Sequence, residues 1–258
     1  MDILDKIIAH KRKELETLGK VSQAQVRPST RDFCHFIATQ KEEIAIIAEI
    51  KRSTPFKGPL LSQEIDPIQW AKDYEDAGAA AVSILTDEHF FNGSLEDLEL
   101  VSQNITLPVL RKDFILDPKQ IYQARLFGAD AILLIVRCLT DEELKRFIEI
   151  CNHIHMRPLV EIHDQSEMER ALKAGARVIG INNRNLKDGS IDFQTTYDLV
   201  KEMPKELISV SESGFEKPKD LKNFKGLVDA VLIGSSIMKA KNPKKMLEDF
   251  VKEGENFP

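Results

Sequence analysis

The chain alternates between two kinds of segment. Short, nearly all-apolar runs rich in β-branched residues occur at 44–50, 80–85, 108–111, 131–136, 158–162, 178–182, 207–211 and 230–233. Continuous apolar runs of this length suit strands covered on both faces, as in parallel sheets. Between and after them, longer amphipathic segments predict helices at 67–77, 94–104, 117–127, 140–153, 165–174, 193–203, 217–223 and 243–252. Several carry start signals. Asp66-Pro67 and Asp117-Pro118 put an N-cap residue ahead of a proline at the first helical position, and Thr140 with Glu143 forms a capping box.

A weak internal repeat supports this order. Asp76-Ala77-Gly78-Ala79-Ala80, Phe127-Gly128-Ala129-Asp130-Ala131 and Lys173-Ala174-Gly175-Ala176-Arg177 share one grammar: a helix ends at glycine and a small residue leads into an apolar strand. Glycine suits the residue after a helix because that position favours positive φ. Gly78, Gly128 and Gly175 stand 50 and 47 residues apart, and Gly226 follows in a looser copy. This spacing corresponds to two strand–helix units. Eight such units predict an α/β fold of the (β/α)8 barrel type. The alternative is a doubly wound open sheet, which the lack of a glycine-rich dinucleotide loop after any strand disfavours. Ahead of the first strand, 2–19 reads as a charged amphipathic helix with Ile3, Ile7, Ile8 and Leu15 on or near one face, and 30–39 as a second short helix. They either cap the barrel's N-terminal region or cover one of its mouths. With no linker or low-complexity tract, the expectation is one domain over 1–258, of which 1–43 is an N-terminal helical extension.

Composition narrows the function classes. The 258 residues are 42% hydrophobic and 30% charged, with a net charge of −6. That balance argues for an ordinary folded domain and against a nucleic-acid or membrane binder. No apolar run approaches a membrane span. The opening residues place acids where a signal peptide would be basic, so a cytoplasmic location is expected. The three cysteines, Cys34, Cys138 and Cys151, are odd in number and form no C-x-x-C, which predicts buried free thiols.

In a barrel of this type the active site lies where the C-terminal strand ends meet. Those ends bring Glu49, Lys51 and Arg52 after the first strand, Arg111, Lys112 and Asp113 after the third, and Glu161 and His163 after the fifth. The sixth adds Asn182, Asn183 and Arg184, and the seventh Glu212, Ser213 and Gly214. The eighth ends in Gly234, Ser235 and Ser236. Period two puts Glu49 and Lys51 on one face, where opposite charges shift each other's proton affinity. A lysine among carboxylates stays charged and is a proton donor; a carboxylate held by lysine stays ionised and is a base. Ser213-Gly214 and Gly234-Ser235-Ser236 offer backbone N–H groups after the seventh and eighth strands, where phosphate sites recur in this fold.

These segments, with Phe91-Asn92-Gly93-Ser94 after the second strand, resemble the strand-end motifs of the indole-3-glycerol phosphate synthase family of tryptophan biosynthesis. The resemblance covers the motif-bearing strand ends and the N-terminal extension. It implies a carboxy-lyase that closes the indole ring of 1-(2-carboxyphenylamino)-1-deoxyribulose 5-phosphate, then loses CO2 and water. Lys112 matches the lysine that protonates the substrate carbonyl, and Lys51 a second lysine near the substrate carboxylate. Glu161 and Glu49 match carboxylates that relay protons and stabilise a cationic intermediate. Asn182, Glu212 and Ser213 match positions that orient substrate hydroxyls and the lysines. Arg184, Gly214, Gly234 and Ser235 match phosphate and sugar contacts, and Phe91, Phe114 and Leu133 the apolar wall for the anthranilate ring. No cofactor and no metal is implied; the partner is a small phosphosugar, and the chain is expected to act as a monomer. One departure stands out. The family's Ser-Pro-Ser-Lys-Gly-like loop here reads Thr54-Pro55-Phe56-Lys57-Gly58. Thr54 keeps a hydroxyl for binding, whereas Phe56 loses one, which leaves either a place over the aromatic pocket or one facing solvent.

Other chemistry-bearing residues have plainer readings. His153 and His155 lack an Asp or Cys to complete a metal set. His163 is expected at the surface, Trp70 in packing, and Lys239, Lys241, Lys244 and Lys245 on a solvated helix face. Three other functions compete: a different phosphosugar enzyme on the same barrel, such as phosphoribosylanthranilate isomerase, a non-catalytic barrel that kept only phosphate binding, and a component of a larger complex.

Overall fold

The computed structural model describes residues 3–19, 21, 23–26, 28–29, 31–39, 43–56, 58–61, 65–185 and 188–255. Asp2, Thr30 and Lys57, which the sequence reading placed in the two N-terminal helices and the first loop, lie outside the described residues.

Eight parallel strands close into a barrel: β1 (Ala45–Ile50), β2 (Ala81–Leu85), β3 (Val109–Lys112), β4 (Ala131–Ile135), β5 (Arg157–Ile162), β6 (Val178–Asn182), β7 (Ile208–Glu212) and β8 (Ala230–Ile233). β8 pairs with β1, with Ala45 opposite Ala230 and Ala48 opposite Ile233, so no edge remains open. The open-sheet alternative is thereby excluded.

The apolar runs are covered on both sides, as their composition predicts. Ile46, Ala48 and Ile50 face outward into the main core beneath the helices. Ala45 and Ile47 face inward with Leu110, Leu133, Leu159, Val178, Val210 and Leu232. Continuing the inward period by two from these residues reaches Glu49, Lys112, Glu161, Gly180 and Glu212. An apolar floor therefore carries a charged top layer, and strand periodicity alone converts one into the other.

Around the barrel run α3 (Pro67–Asp76), α4 (Leu95–Asn104), α5 (Pro118–Leu126), α6 (Asp141–His153), α7 (Gln165–Lys173), α8 (Gln194–Glu202) and α9 (Pro243–Gly254). Their predicted caps form. Asp66 accepts from the amides of Ile68 and Gln69, and Thr140 and Glu143 close a reciprocal box. The seventh connection differs from its prediction: Pro218–Phe224 winds as a 3-10 helix of 7 residues, packed on α9 through Leu221 and Phe224. Gly78, Gly128, Gly175 and Gly226 all take positive φ.

The extension splits between the two readings open to it. α2 (Phe33–Ala38) closes the N-terminal end of the barrel, where Phe33 and Ile37 pack among the small starts of the strands, Ala45, Ala81, Ala131 and Ala230. α1 (Ile3–Thr17) covers the opposite mouth, with Ile3, Leu4 and Ile7 lining the cavity there. Lys11, 3% exposed, pins α1 down through Asp87 at 2.8 Å and Asp113 at 3.1 Å. Among the described residues no helix is long and apolar enough to cross a membrane.

Candidate active site

A cavity of about 550 Å3 opens at the C-terminal ends of the strands. All fifteen residues marked from the sequence line it: Glu49, Lys51, Thr54, Phe91, Lys112, Phe114, Leu133, Glu161, Asn182, Arg184, Glu212, Ser213, Gly214, Gly234 and Ser235. They come from all eight strands and the loops beyond them.

Two lysine–carboxylate groups form the polar floor. Lys51 Nζ lies 2.6 Å from Glu49 Oε1, the contact that period two along β1 predicts. Lys112 Nζ lies 3.2 Å from Glu212 Oε2 and 3.5 Å from Glu161 Oε2. Burial opposes ionisation of Glu49, but Lys51 and Lys112 outweigh it and hold the carboxyl below the usual range. Glu161 follows the same pattern: burial raises its proton affinity, while Lys112, His163 and a hydrogen bond from Asn182 bring it below the usual range. Glu212 goes the other way. Burial, with Glu161 and Glu49 nearby, pushes its pKa up to about 7 despite Lys112. Neither Glu212 oxygen has a hydrogen-bond partner among the described residues. Burial would discharge Lys112, yet Glu212, Glu161 and Glu49 raise its pKa above the usual value. The floor thus holds a committed cation, two committed anions and one carboxyl poised near neutrality, the separation that acid–base chemistry at one site requires.

Local backbone makes room for this layer. A Cβ at Gly180 would overlap Glu212 Oε1, so only glycine lets the β7 carboxyl lie across β6. Ser213 and Gly214 both take positive φ, of 70° and 103°, which turns the chain sharply as it leaves β7. For a serine this is an uncommon conformation, of the kind that clusters at functional sites. At Gly234 a Cβ would press on Glu49, and the chain there enters the single turn Ser235–Met238.

The cavity has two ends of different chemistry. Phe91 and Phe114, with centroids 6.2 Å apart, make an apolar wall with Leu133, Leu85 and Ile135. Gly214, Gly234, Ser235 and Ser236 line another part of the wall. Thr54 stands on a short ribbon, Ser53–Thr54 against Gly58–Pro59. Phe56, at its tip, is 38% exposed; its ring packs against the Cα of Gly189, with the Arg184 guanidinium 6.0 Å from its centroid. The loops after β1 and β6 therefore meet through Phe56, and Arg184 is held from behind by Gly189 O at 2.8 Å.

The structure corrects two readings, His163 and Lys239, and adds several residues. His163 is not at the surface: its side chain is 7% exposed, between Glu161 and Glu167. The reason is the following helix, which brings Glu167 back over it. Ile3, Leu4 and Ile7 carried no local signal, because their partners lie far along the chain. Lys239, read as part of a solvated run, lines the cavity, while Lys244 and Lys245 pair with acids at the surface. The thiols are free, Cys151 buried and the other two half-buried, and burial pushes the pKa of Cys138 up to about 12. Trp70 packs edge-on against Tyr74. His153 ends α6, and no group of three or more His, Cys, Asp or Glu among the described residues is arranged to hold a metal.

Comparisons with known proteins bear on this site. The family model described as indole-3-glycerol phosphate synthase matches residues 4–250. A protein of that name from Acetivibrio thermocellus is 43% identical over 257 residues, covering 96% of this chain and 98% of the relative. One from Trichodesmium erythraeum is 42% identical over 270 residues, covering 99% and 90%. Among solved structures, thiamine phosphate pyrophosphorylase from Pyrococcus furiosus superposes with a TM-score of 0.63 at 16% identity, covering 84% of this chain and 98% of that one. At that identity the likeness shows the barrel alone.

Proposed function

Since the chain belongs to the indole-3-glycerol phosphate synthase family of tryptophan biosynthesis, we propose that its cavity converts 1-(2-carboxyphenylamino)-1-deoxyribulose 5-phosphate into indole-3-glycerol phosphate, as a carboxy-lyase. The observation that carries this reading is Lys112, a half-buried cation between an ionised Glu161 and a Glu212 poised near neutrality, at the edge of an aromatic wall.

The anthranilate ring lies against Phe91, Phe114 and Leu133, with its carboxylate toward Lys51. The phosphate takes the backbone N–H groups near Gly214 and Gly234-Ser235, with Arg184 as counter-charge. Ring closure joins the ring carbon bearing the carboxylate to the substrate carbonyl carbon. The carbonyl oxygen gains negative charge and takes a proton from Lys112, which its carboxylate neighbours keep charged. The attacked ring becomes cationic, and Glu161 and Glu49 face that charge. Loss of CO2 returns the C–C bonding electrons to the ring and restores its aromaticity. The new hydroxyl then leaves as water: a proton is delivered to that oxygen, a carboxylate takes one from the neighbouring carbon, and the pyrrole double bond forms. Asn182, Glu212 and Ser213 hold the hydroxyls and the lysines in register. The whole wall comes from one chain, so the reading needs only a monomer and a small phosphosugar, and its steps require no cofactor.

The test is direct. Purified protein mixed with the carboxyphenylamino substrate should release one CO2 per indole, followed by indole absorbance and fluorescence, and Glu161→Gln should lose about 10²–10⁴-fold in kcat. Failure to form indole would overturn the reading in favour of another phosphosugar reaction.

A further inference from the structure

Behind Glu161 lies a buried relay that the reaction scheme does not use. His163 follows Glu161 by two residues and so shares its face of the chain. Its backbone N–H donates to Glu167 Oε2 at 2.8 Å, and its ring Nδ1 lies 3.2 Å from the same oxygen. Glu167 Oε1 in turn accepts from Arg137 Nε at 2.7 Å. The imidazole is thereby oriented from the α7 side. Its other nitrogen, Nε2, lies 3.4 Å from Glu161 Oε1 and has no hydrogen-bond partner among the described residues.

We propose that His163 is a positioning residue for Glu161: it engages Oε1 from behind, so that Oε2 faces Lys112 and the substrate. This rests on the reading of Glu161 given above. A carboxylate oxygen accepts and does not donate, so the imidazole serves either oxygen only through a nitrogen that carries a proton. The charged groups facing the ring are Glu161 on β5, Glu167 and its partner Arg137, and the half-exposed Asp164, 3.8 Å from Arg137. The Cys138 thiol nearby stays neutral. His163 beside Oε1 favours the ionised carboxylate and works in the same direction as Lys112. Holding one oxygen also removes rotational freedom from the side chain that must receive the proton, as partners behind a reactive group do elsewhere.

The experiment is kcat/KM against pH for the full chain carrying His163→Gln, Glu167→Gln or Glu161→Gln, each checked for folding by thermal unfolding. Loss of the imidazole raises the proton affinity of Glu161, so in His163→Gln the acid limb should move up by about one pH unit. Its plateau should fall roughly 10-fold. Glu167→Gln should move the limb the same way by less. A purely structural histidine would lower rates evenly across pH and leave the limb in place; that result, with Glu161→Gln inactive, overturns this proposal alone. If Glu161→Gln works normally, the assignment of Glu161 itself fails. Should His163→Gln not fold, Glu167→Gln decides, and an unmoved limb overturns the proposal.

Discussion

Two lysines, one buried and one half-buried, sit among carboxylates at the same mouth of this barrel, and they are built to opposite ends. Lys11 meets Glu14 at 2.7 Å, Asp87 at 2.8 Å and Asp113 at 3.1 Å. Of its partners Asp113 is saturated, whereas Asp87 Oδ2 has only the Lys11 ion pair. Asp113 also accepts from Thr86, Arg111 and the amide of Phe114, and Asp87 from the amide of Phe90. Lys112, one residue before Asp113, meets its carboxylates at 3.2 and 3.5 Å, and both oxygens of Glu212 are left without a hydrogen bond. The better-satisfied cluster has less to offer a ligand and holds α1 in place. An unsaturated one stores the unfavourable energy of burying polar groups, which a substrate that supplies the missing partners recovers. The same residue types, adjacent in the chain, therefore divide into a clasp and a reaction centre by how completely they are satisfied.

Replacing each cation tests that division. Lys112→Met should cost about 10²–10⁴-fold in kcat by loss of general-acid catalysis, with a smaller fall in Tm than Lys11→Met, because Glu212 takes up a proton readily near neutrality and Glu161 alone loses its main counter-charge. Rates of indole formation beside a thermal melt would show it, and a large loss of stability would make the two clusters alike. Lys11→Met should do the reverse. It leaves Asp87 buried without a counter-charge, which by analogy with broken buried pairs costs about 3–5 kcal/mol in urea unfolding. Its kcat should fall far less than that of Lys112→Met. Equal losses of activity would erase the distinction.

A smaller effect sharpens it further. The folded pKa of Glu212, about 7, is raised above its ordinary value near 4.5. The folded state thus keeps a proton that the unfolded chain releases. The stabilisation is present below about pH 4.5 and is lost as pH rises through about 7. At about 1.4 kcal/mol per unit, Glu212→Gln should gain roughly 1–3 kcal/mol relative to the native protein between about pH 5 and pH 8. Urea unfolding at both pH values measures it. A flat difference would mean that Glu212 is as well satisfied as Asp113.

Much of this was legible in the residues themselves. Each barrel strand falls within a residue or two of its apolar run, because burial on both faces leaves no polar position to blur the pattern. The reactive floor was legible too, since period two from an inward leucine or valine lands on Lys112, Glu161 or Glu212. What stayed hidden depends on contacts between distant parts of the chain. Lys11 looks like any helix lysine until Asp87 and Asp113 surround it. His163 looks like a rim residue until α7 folds back over it, although its four-residue spacing from Glu167 was there to be noticed. The loop after β7 has the pattern of a helix, yet Pro218–Phe224 adopts the tighter 3-10 winding.

The clasp also has a consequence for the order in which the molecule is made. Lys11 leaves the ribosome about 100 residues before Asp113 does. At roughly 5–20 residues per second, that is some 5–20 seconds of synthesis. Throughout that interval the α1 segment has its apolar residues uncovered and its key lysine without the carboxylates it will meet. The roof of the reaction chamber is thus synthesised first and seated late, and the nascent chain must shield Ile3, Leu4 and Ile7 until the third strand emerges.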